Sequence, residues 1–204
     1  MMGAVRTAAF PAPPVNKKEV LRYAGAKTAD DVLAAMLDEC ISLAWDGFTY
    51  RVAYAVYPVM PTENGVSFGS FAIESRDLAK NLAGCHAAIL FGASVGRTLD
   101  RLVLRESVTS PARALLLDAL GTERVETLAD TFCRTLAETY ETEGACIRPR
   151  FSPGYGDLPL SAQTQIFSVL NLPKSLNVTL NDSLLMSPKK SVTAFVGIEE
   201  KEKK

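Results

Sequence analysis

The sequence predicts an α+β fold, a single domain with a central, mainly antiparallel twisted sheet and flanking helices. Three observations predict it. Helical and strand patterns do not alternate strictly, as a doubly wound parallel sheet requires. Hairpin-like strand patterns flank a helical block over 95–143. The 204 residues, 48% of them hydrophobic, can bury one sizeable core and suit one large domain better than two small ones. The expected organisation is an extended N-terminal arm over 1–15, the domain over 16–198 and a charged tail over 199–204.

Taken in order, Phe10-Pro11-Ala12-Pro13-Pro14 reads as an extended, partly mobile arm, because proline outside any periodic pattern favours polyproline II geometry. Asn16 is placed to cap a short helix. Thr28-Ala29-Asp30-Asp31 resembles a capping box ahead of Val32, Leu33, Met36, Leu37, Cys40, Ile41 and Ala44, a helical stripe that Gly47 ends. The stretches 48–59 and 66–73 alternate and are rich in β-branched and aromatic residues. They are expected to pair as a hairpin across the wide Pro61-Thr62-Glu63-Asn64-Gly65 loop. Ser75 should cap a helix to Leu82, and the nearly continuous apolar run 85–91 should be a buried strand.

The block 95–143 is mainly helical, with Gly121 either breaking it or tolerated inside one long helix at roughly 1 kcal/mol. A short strand over 145–147, a turn, a helix from Ser161 to Leu170 and strands over 178–180 and 192–198 complete the pattern.

Composition excludes several functions. Lys plus Arg total 22 against 23 Asp plus Glu, a net charge of −1, so no broad basic field addresses nucleic acid or an anionic membrane. Cys40, Cys85, Cys133 and Cys146 are widely spaced without a C-x-x-C pair, which argues for reduced, mostly buried thiols in a cytoplasmic protein and against a zinc site or disulfide framework. Neither a signal peptide nor a run of about 18 apolar residues is present, so a soluble, unexported chain is expected. Gly92-Ala93-Ser94-Val95-Gly96 matches the nucleophile-elbow pattern, but the one histidine, His86, precedes Ser94, whereas a hydrolase of that kind needs it afterwards. A tight turn whose small residues allow close packing is the better reading, and His86 is expected to be structural.

The richest stretch is Arg150-Phe151-Ser152-Pro153-Gly154-Tyr155-Gly156-Asp157. Pro153 fixes its φ and Gly154 tolerates φ > 0, so the backbone is expected to form a defined turn that displays its flanking side chains. By residue chemistry alone Arg150 either binds a ligand carboxylate bidentately or pairs with a surface carboxylate. Tyr155 either packs on the sheet or offers a flat, polar-tipped face to a planar ligand. Asp157 is close enough to hold the loop or to act as an acceptor.

This R-x-x-P-G-Y turn resembles the signature of the activation (reactivation) domain of cobalamin-dependent methionine synthase. Two further stretches resemble the same family in the same order. One is the amphipathic helix over 127–140, and the other is the closing strands, where Met186-Ser187-Pro188-Lys189-Lys190-Ser191-Val192 keeps an M-x-P-x-x-S-V pattern. The resemblance implies a stand-alone activation-domain homologue that assists reductive methylation of a protein-bound cobalamin, with S-adenosylmethionine as methyl donor. It also implies an accessory role in methionine biosynthesis or related corrinoid methyl transfer. A cobalamin-binding methionine synthase or another corrinoid protein would be the partner, with a flavodoxin-like or other electron donor. Carried over residue by residue, it assigns cofactor binding to Arg150, Ser152, Pro153, Gly154 and Tyr155, with Arg150 and the Ser152 backbone on S-adenosylmethionine and Tyr155 toward the corrin. Two family contacts, an acidic residue near the domain's start and a tyrosine segment beyond the last strand, have no counterpart. The alternative is therefore a docking or regulatory module that no longer binds S-adenosylmethionine.

Overall fold

A computed structural model describes residues 3–201. In chain order its elements are β1 (Arg6–Ala9), α1 (Lys17–Tyr23), α2 (Asp31–Ala44), β2 (Arg51–Pro58), β3 (Met60–Pro61), β4 (Gly65–Ser67), β5 (Ala72–Glu74), α3 (Arg76–Asn81) and β6 (Ala87–Ser94). There follow α4 (Thr98–Thr109), α5 (Pro111–Thr142), β7 (Ala145–Ile147), α6 (Ala162–Leu170), α7 (Leu172–Ser175), β8 (Thr179–Leu180), β9 (Met186–Ser187) and β10 (Ser191–Glu200). The main sheet has the order β1-β2-β6-β10-β7, and every pairing in it is antiparallel. The architecture is α+β, as the sequence predicts.

β6 is the axis of the molecule. Its sequence Ala-Ala-Ile-Leu-Phe-Gly-Ala-Ser has no charged residue, and all eight positions are buried between β2 and β10. Because side chains alternate, Ala88 and Leu90 face one layer with Phe195, Ile166 and Leu170, while Ile89 and Phe91 face another with Val52, Val196, Leu128 and Phe132. The first layer is closed by α6 and α7, the second by α5. Each large apolar side chain so enclosed contributes roughly 1.5–3 kcal/mol. A third cluster, Val20, Leu37, Cys40, Leu99 and Leu117, joins α1, α2 and α4 to α5.

Four expectations change. The stretches 48–59 and 66–73 do not pair with each other: β2 is already bonded on both edges, to β1 and β6, and Gly69 at φ +85° turns the chain between β4 and β5. Residues 60–74 form instead their own small meander, β3-β4-β5. The N-terminal arm is fastened to the domain: Arg6–Ala9 is an edge strand on β2, and the buried Arg124 guanidinium donates to the carbonyls of Pro13 (2.5 Å) and Pro14 (2.8 Å). Residues 1–2 of that arm lie outside the described residues. In the expected tail, Glu199 and Glu200 extend β10 against β7 and Lys201 pairs with Glu141 at 3.0 Å, while 202–204 lie outside the described residues. The cap of α2 is Asp30, whose carboxylate accepts from Leu33 N at 2.8 Å, two residues later than a box starting at Thr28 requires.

Gly121 sits inside one continuous helix. A Cβ there would run into Leu99, and Lys190 also lies within 2.8 Å, so the glycine is where α4 and β10's approach press on α5. Asn16 and Ser75 cap α1 and α3, accepting from Glu19 N and Leu78 N, as the sequence predicts. Ser161 stands at the N-cap of α6 but its side chain makes no capping bond.

Candidate functional site

The segment after β7 leaves the sheet edge and is stitched back by Phe151, which exchanges two 2.8 Å backbone hydrogen bonds with Phe195 of β10. This fixes where the next four residues begin. Tyr155 N donates to Ser152 O at 3.2 Å, Pro153 occupies the second position, and Gly154 lies at φ +90° in the third. These are the features of a type II turn, in which proline presets one dihedral and only glycine adopts the next without strain. Gly154 N then donates to Leu158 O (2.9 Å), and Leu158 N to Tyr155 O (3.1 Å), closing the loop on itself.

Asp157 fastens the far side. Its carboxylate accepts from the Ser75 hydroxyl, from Arg76 N at 2.8 Å and from Asp77 N at 3.2 Å, so it lies on the N-terminus of α3. Asp77 returns the bond by accepting from Asp157 N at 3.3 Å. The Ser75 hydroxyl, ahead of the two backbone N–H groups, holds the Asp157 carboxyl below its usual range despite some desolvation. Of the two roles the sequence allows Asp157, the structure places it in holding the loop.

Arg150 lines an open cleft of about 590 Å³ with Ser152, Tyr155, Phe151, Asn81 and Glu126. Its Nη2 meets two carboxylates of α5, Glu126 at 2.5 Å and Asp130 at 3.1 Å. Burial alone would lower the Arg150 pKa, but Glu126 and Asp130 outweigh it and raise the value. The Nε and Nη1 N–H groups, on different sides of the guanidinium, donate to no group among the described residues. Cys133, one turn beyond Asp130, is pushed up to about 11 by burial even though Arg150 pulls the other way, which leaves it an inert thiol. Tyr155 is 70% exposed, its ring set edge-on to Phe151 with centroids 5.4 Å apart. It stands above the cleft and does not pack on the sheet. Asn81 donates to Pro149 O at 3.1 Å, which orients its amide and leaves a buried Oδ1 without a partner.

Of the residues the sequence singles out, Arg150, Ser152 and Tyr155 line the cleft together, while Pro153 and Gly154 shape the turn behind them. Glu126, Asp130 and Asn81 escape sequence reasoning. The i, i+4 spacing of Glu126 and Asp130 on a predicted helix was the available signal, but nothing local says which arginine they face.

No protein-family profile matches this sequence, and no curated protein matches it. Among solved structures, the MetH reactivation domain bound to AdoHcy superimposes with a TM-score of 0.69 over 98% of this chain and 80% of that one, at 12% identity. The chain has the reactivation-domain fold. Only the architecture is shared at such low identity, so the cleft has to be argued from its own residues.

Within the reactivation-domain fold, the other sequence candidates fall elsewhere. Ser94 is the last residue of β6, 3% exposed, and accepts from Gly96 N (3.2 Å) and from the Ser191 hydroxyl (2.9 Å). The nucleophile-elbow match is therefore strand followed by a turn at Gly96, and α4 begins only at Thr98. His86 is exposed at the opposite end of β6, about 26 Å away at strand rise. All four cysteines are free, Cys40 and Cys85 buried, Cys133 and Cys146 half-buried. Among the described residues there is no cluster of three or more His, Cys, Asp or Glu able to hold a metal, and no helix long and apolar enough to cross a membrane.

Proposed function

We propose that this protein binds S-adenosylmethionine in the Arg150 cleft and assists the reductive methylation of a cobalamin held by a partner protein. One observation carries the reading: a guanidinium with unspent donors and a carboxylate, Arg150 and Glu126, stand side by side under a rigid Pro-Gly turn, in a chain with the fold of a domain solved with AdoHcy. AdoHcy and S-adenosylmethionine share a zwitterionic amino-acid end, which needs one cation and one anion in reach. The free Nη1 of Arg150 donates to the ligand carboxylate, and Glu126 takes the ammonium. The Ser152 backbone lines the same wall, and the exposed face of Tyr155 meets the corrin of the docked partner. The protein's contribution is positioning of the methyl donor, in a cytoplasmic methionine synthase or related corrinoid system whose electron donor is flavodoxin-like or equivalent.

The test is titration calorimetry of the purified protein with S-adenosylmethionine and with S-adenosylhomocysteine. Saturable heat that disappears in Arg150→Ala and weakens in Glu126→Gln is expected. No heat with the wild type at millimolar ligand, alone or beside a corrinoid protein, overturns the reading. A second reading, a docking or regulatory module without S-adenosylmethionine, is favoured by the two carboxylates already on Arg150. It predicts retention of a corrinoid protein on the immobilised chain that S-adenosylmethionine leaves unchanged.

A further inference from the structure

The turn after β6, the part of the Gly-x-Ser-x-Gly match not used by the Arg150 cleft, opens onto a second cavity of about 260 Å³. Its chemistry is of one sign. Arg51 and Arg97 line it together with Thr49, Ser94 and Thr98, and no carboxylate lines it. Neither arginine forms an ion pair among the described residues; the contact of Arg51 is a 3.1 Å bond to the backbone oxygen of Ser175, and Arg97 is exposed.

The strand register explains how the cations come together. Arg51 of β2 and Ser191 of β10 both stand opposite Ser94, so all three form one row across the end of the sheet. Gly96, at φ +87°, turns the chain immediately beyond, and a Cβ there would come within 2.7 Å of the Thr49 hydroxyl. The glycine thus lets the backbone close on the cavity and deliver Arg97 and Thr98 to its rim. Two guanidinium groups on one small cavity repel each other until an anion enters, and the arrangement is the kind that recognises a planar or tetrahedral oxyanion by forked hydrogen bonds. The first turn of α4 at the rim has no side-chain cap, so its backbone N–H groups add to a field the arginines already set. The volume falls below the usual range for drug-sized ligands, and so fits an isolated anionic group and not a nucleoside.

We infer that the cavity between Arg51 and Arg97 is a binding site for a phosphate group, either free or carried as the monoester of a small molecule. The site is separate from the Arg150 cleft and stands whether or not that cleft binds S-adenosylmethionine.

The experiment follows backbone amide resonances of the full chain while inorganic phosphate, glycerol 3-phosphate or chloride is added at matched ionic strength. Saturable shifts at Gly96, Arg97 and Thr98 with phosphate or its monoester, and none with chloride, are expected. The Arg51→Gln/Arg97→Gln double variant should bind at least about tenfold more weakly, the loss of one charge-assisted contact or more. Both arginines are exposed, so the variant's melting curve should match the wild type and keep the comparison interpretable. Tighter binding of the monoester identifies a phosphorylated ligand, and tighter binding of inorganic phosphate identifies the free ion. Shifts no larger than with chloride, or an affinity unchanged in the double variant, overturn the inference.

Discussion

Arg124 and Arg150 both grip acidic side chains of α5 one turn apart, Glu123 and Glu126, yet the two ion pairs serve different ends. Arg124 is fully buried, and its fork is spent: Nε and Nη2 go to Glu123, Nη1 and Nη2 to the carbonyls of Pro13 and Pro14. Glu123 is equally occupied, accepting also from Asn16 N at 3.1 Å and the Thr127 hydroxyl at 2.9 Å. Nothing is left over for a ligand, and the pair's effect is to tie the proline-rich arm to the core. Arg150 keeps 25% of its side chain exposed and spends one nitrogen on two carboxylates, which leaves the donors of Nε and Nη1 unspent in a residue that lines a cleft. An ion pair by itself therefore says little about role. The count of donors still unsatisfied, and what they face, separates a fastening from a binding site.

The largest expected effect tests the fastening. Arg124→Ala leaves Glu123 buried without its cation, and a broken buried pair costs on the order of 3–5 kcal/mol. Urea denaturation should show a midpoint shifted down accordingly, and a loss under about 1 kcal/mol would show that the arm does not depend on the pair. Arg150→Ala should behave oppositely. Its partly exposed pair contributes only about 0.2–1 kcal/mol to folding, so the melting curve should move little. Its effect belongs in ligand affinity, where losing charge-assisted bonds of roughly 1.5–3 kcal/mol weakens S-adenosylmethionine binding about tenfold to a hundredfold. Equal losses of stability and affinity in both variants would erase the distinction between the two arginines.

How much of this was legible from residues alone follows the range of the interactions. The helix capped by Asn16, the cap at Ser75, the buried strand β6 and the Pro-Gly turn rest on contacts within a few residues, and each stands as the sequence predicts. The partner of β2 did not, because its edges are filled by segments 29 or more residues away in the chain, and alternation in 66–73 carries no label saying which strand it meets. The fastening of the arm was hidden for a related reason: its anchor is Arg124, 110 residues from Pro14. In the cleft, the turn residues were readable from dihedral preferences, whereas Glu126, Asp130 and Asn81 arrive from α5 and α3 through packing alone.

A third variant sharpens the claim that the cleft's turn is rigid. Gly154→Ala asks an L side chain to hold φ +90°, with Leu160 Cδ1 at 3.5 Å from the new Cβ, so the cost comes from backbone strain and not from a clash. The expected destabilisation is about 1–2 kcal/mol, with binding at the Arg150 cleft weakened if the turn relaxes. Stability and affinity both unchanged would mean that the turn has slack.

The smallest effect is one of pH. Asp157 has a folded-state pKa below the ordinary 3.8, so the stability it lends is present above the unfolded value and is lost as pH falls through the folded one. Asp157→Asn removes that titration and keeps an acceptor for the Ser75 hydroxyl and for one N–H of α3. The wild type should therefore be the more stable protein at neutral pH, and the difference between the two should shrink once pH drops below about 4. Paired melts at pH 7 and at pH 3 provide the measurement. A difference that stays constant between those pH values would assign the role of Asp157 to shape alone, and the loop carrying Ser152 and Tyr155 would then be held without help from its charge.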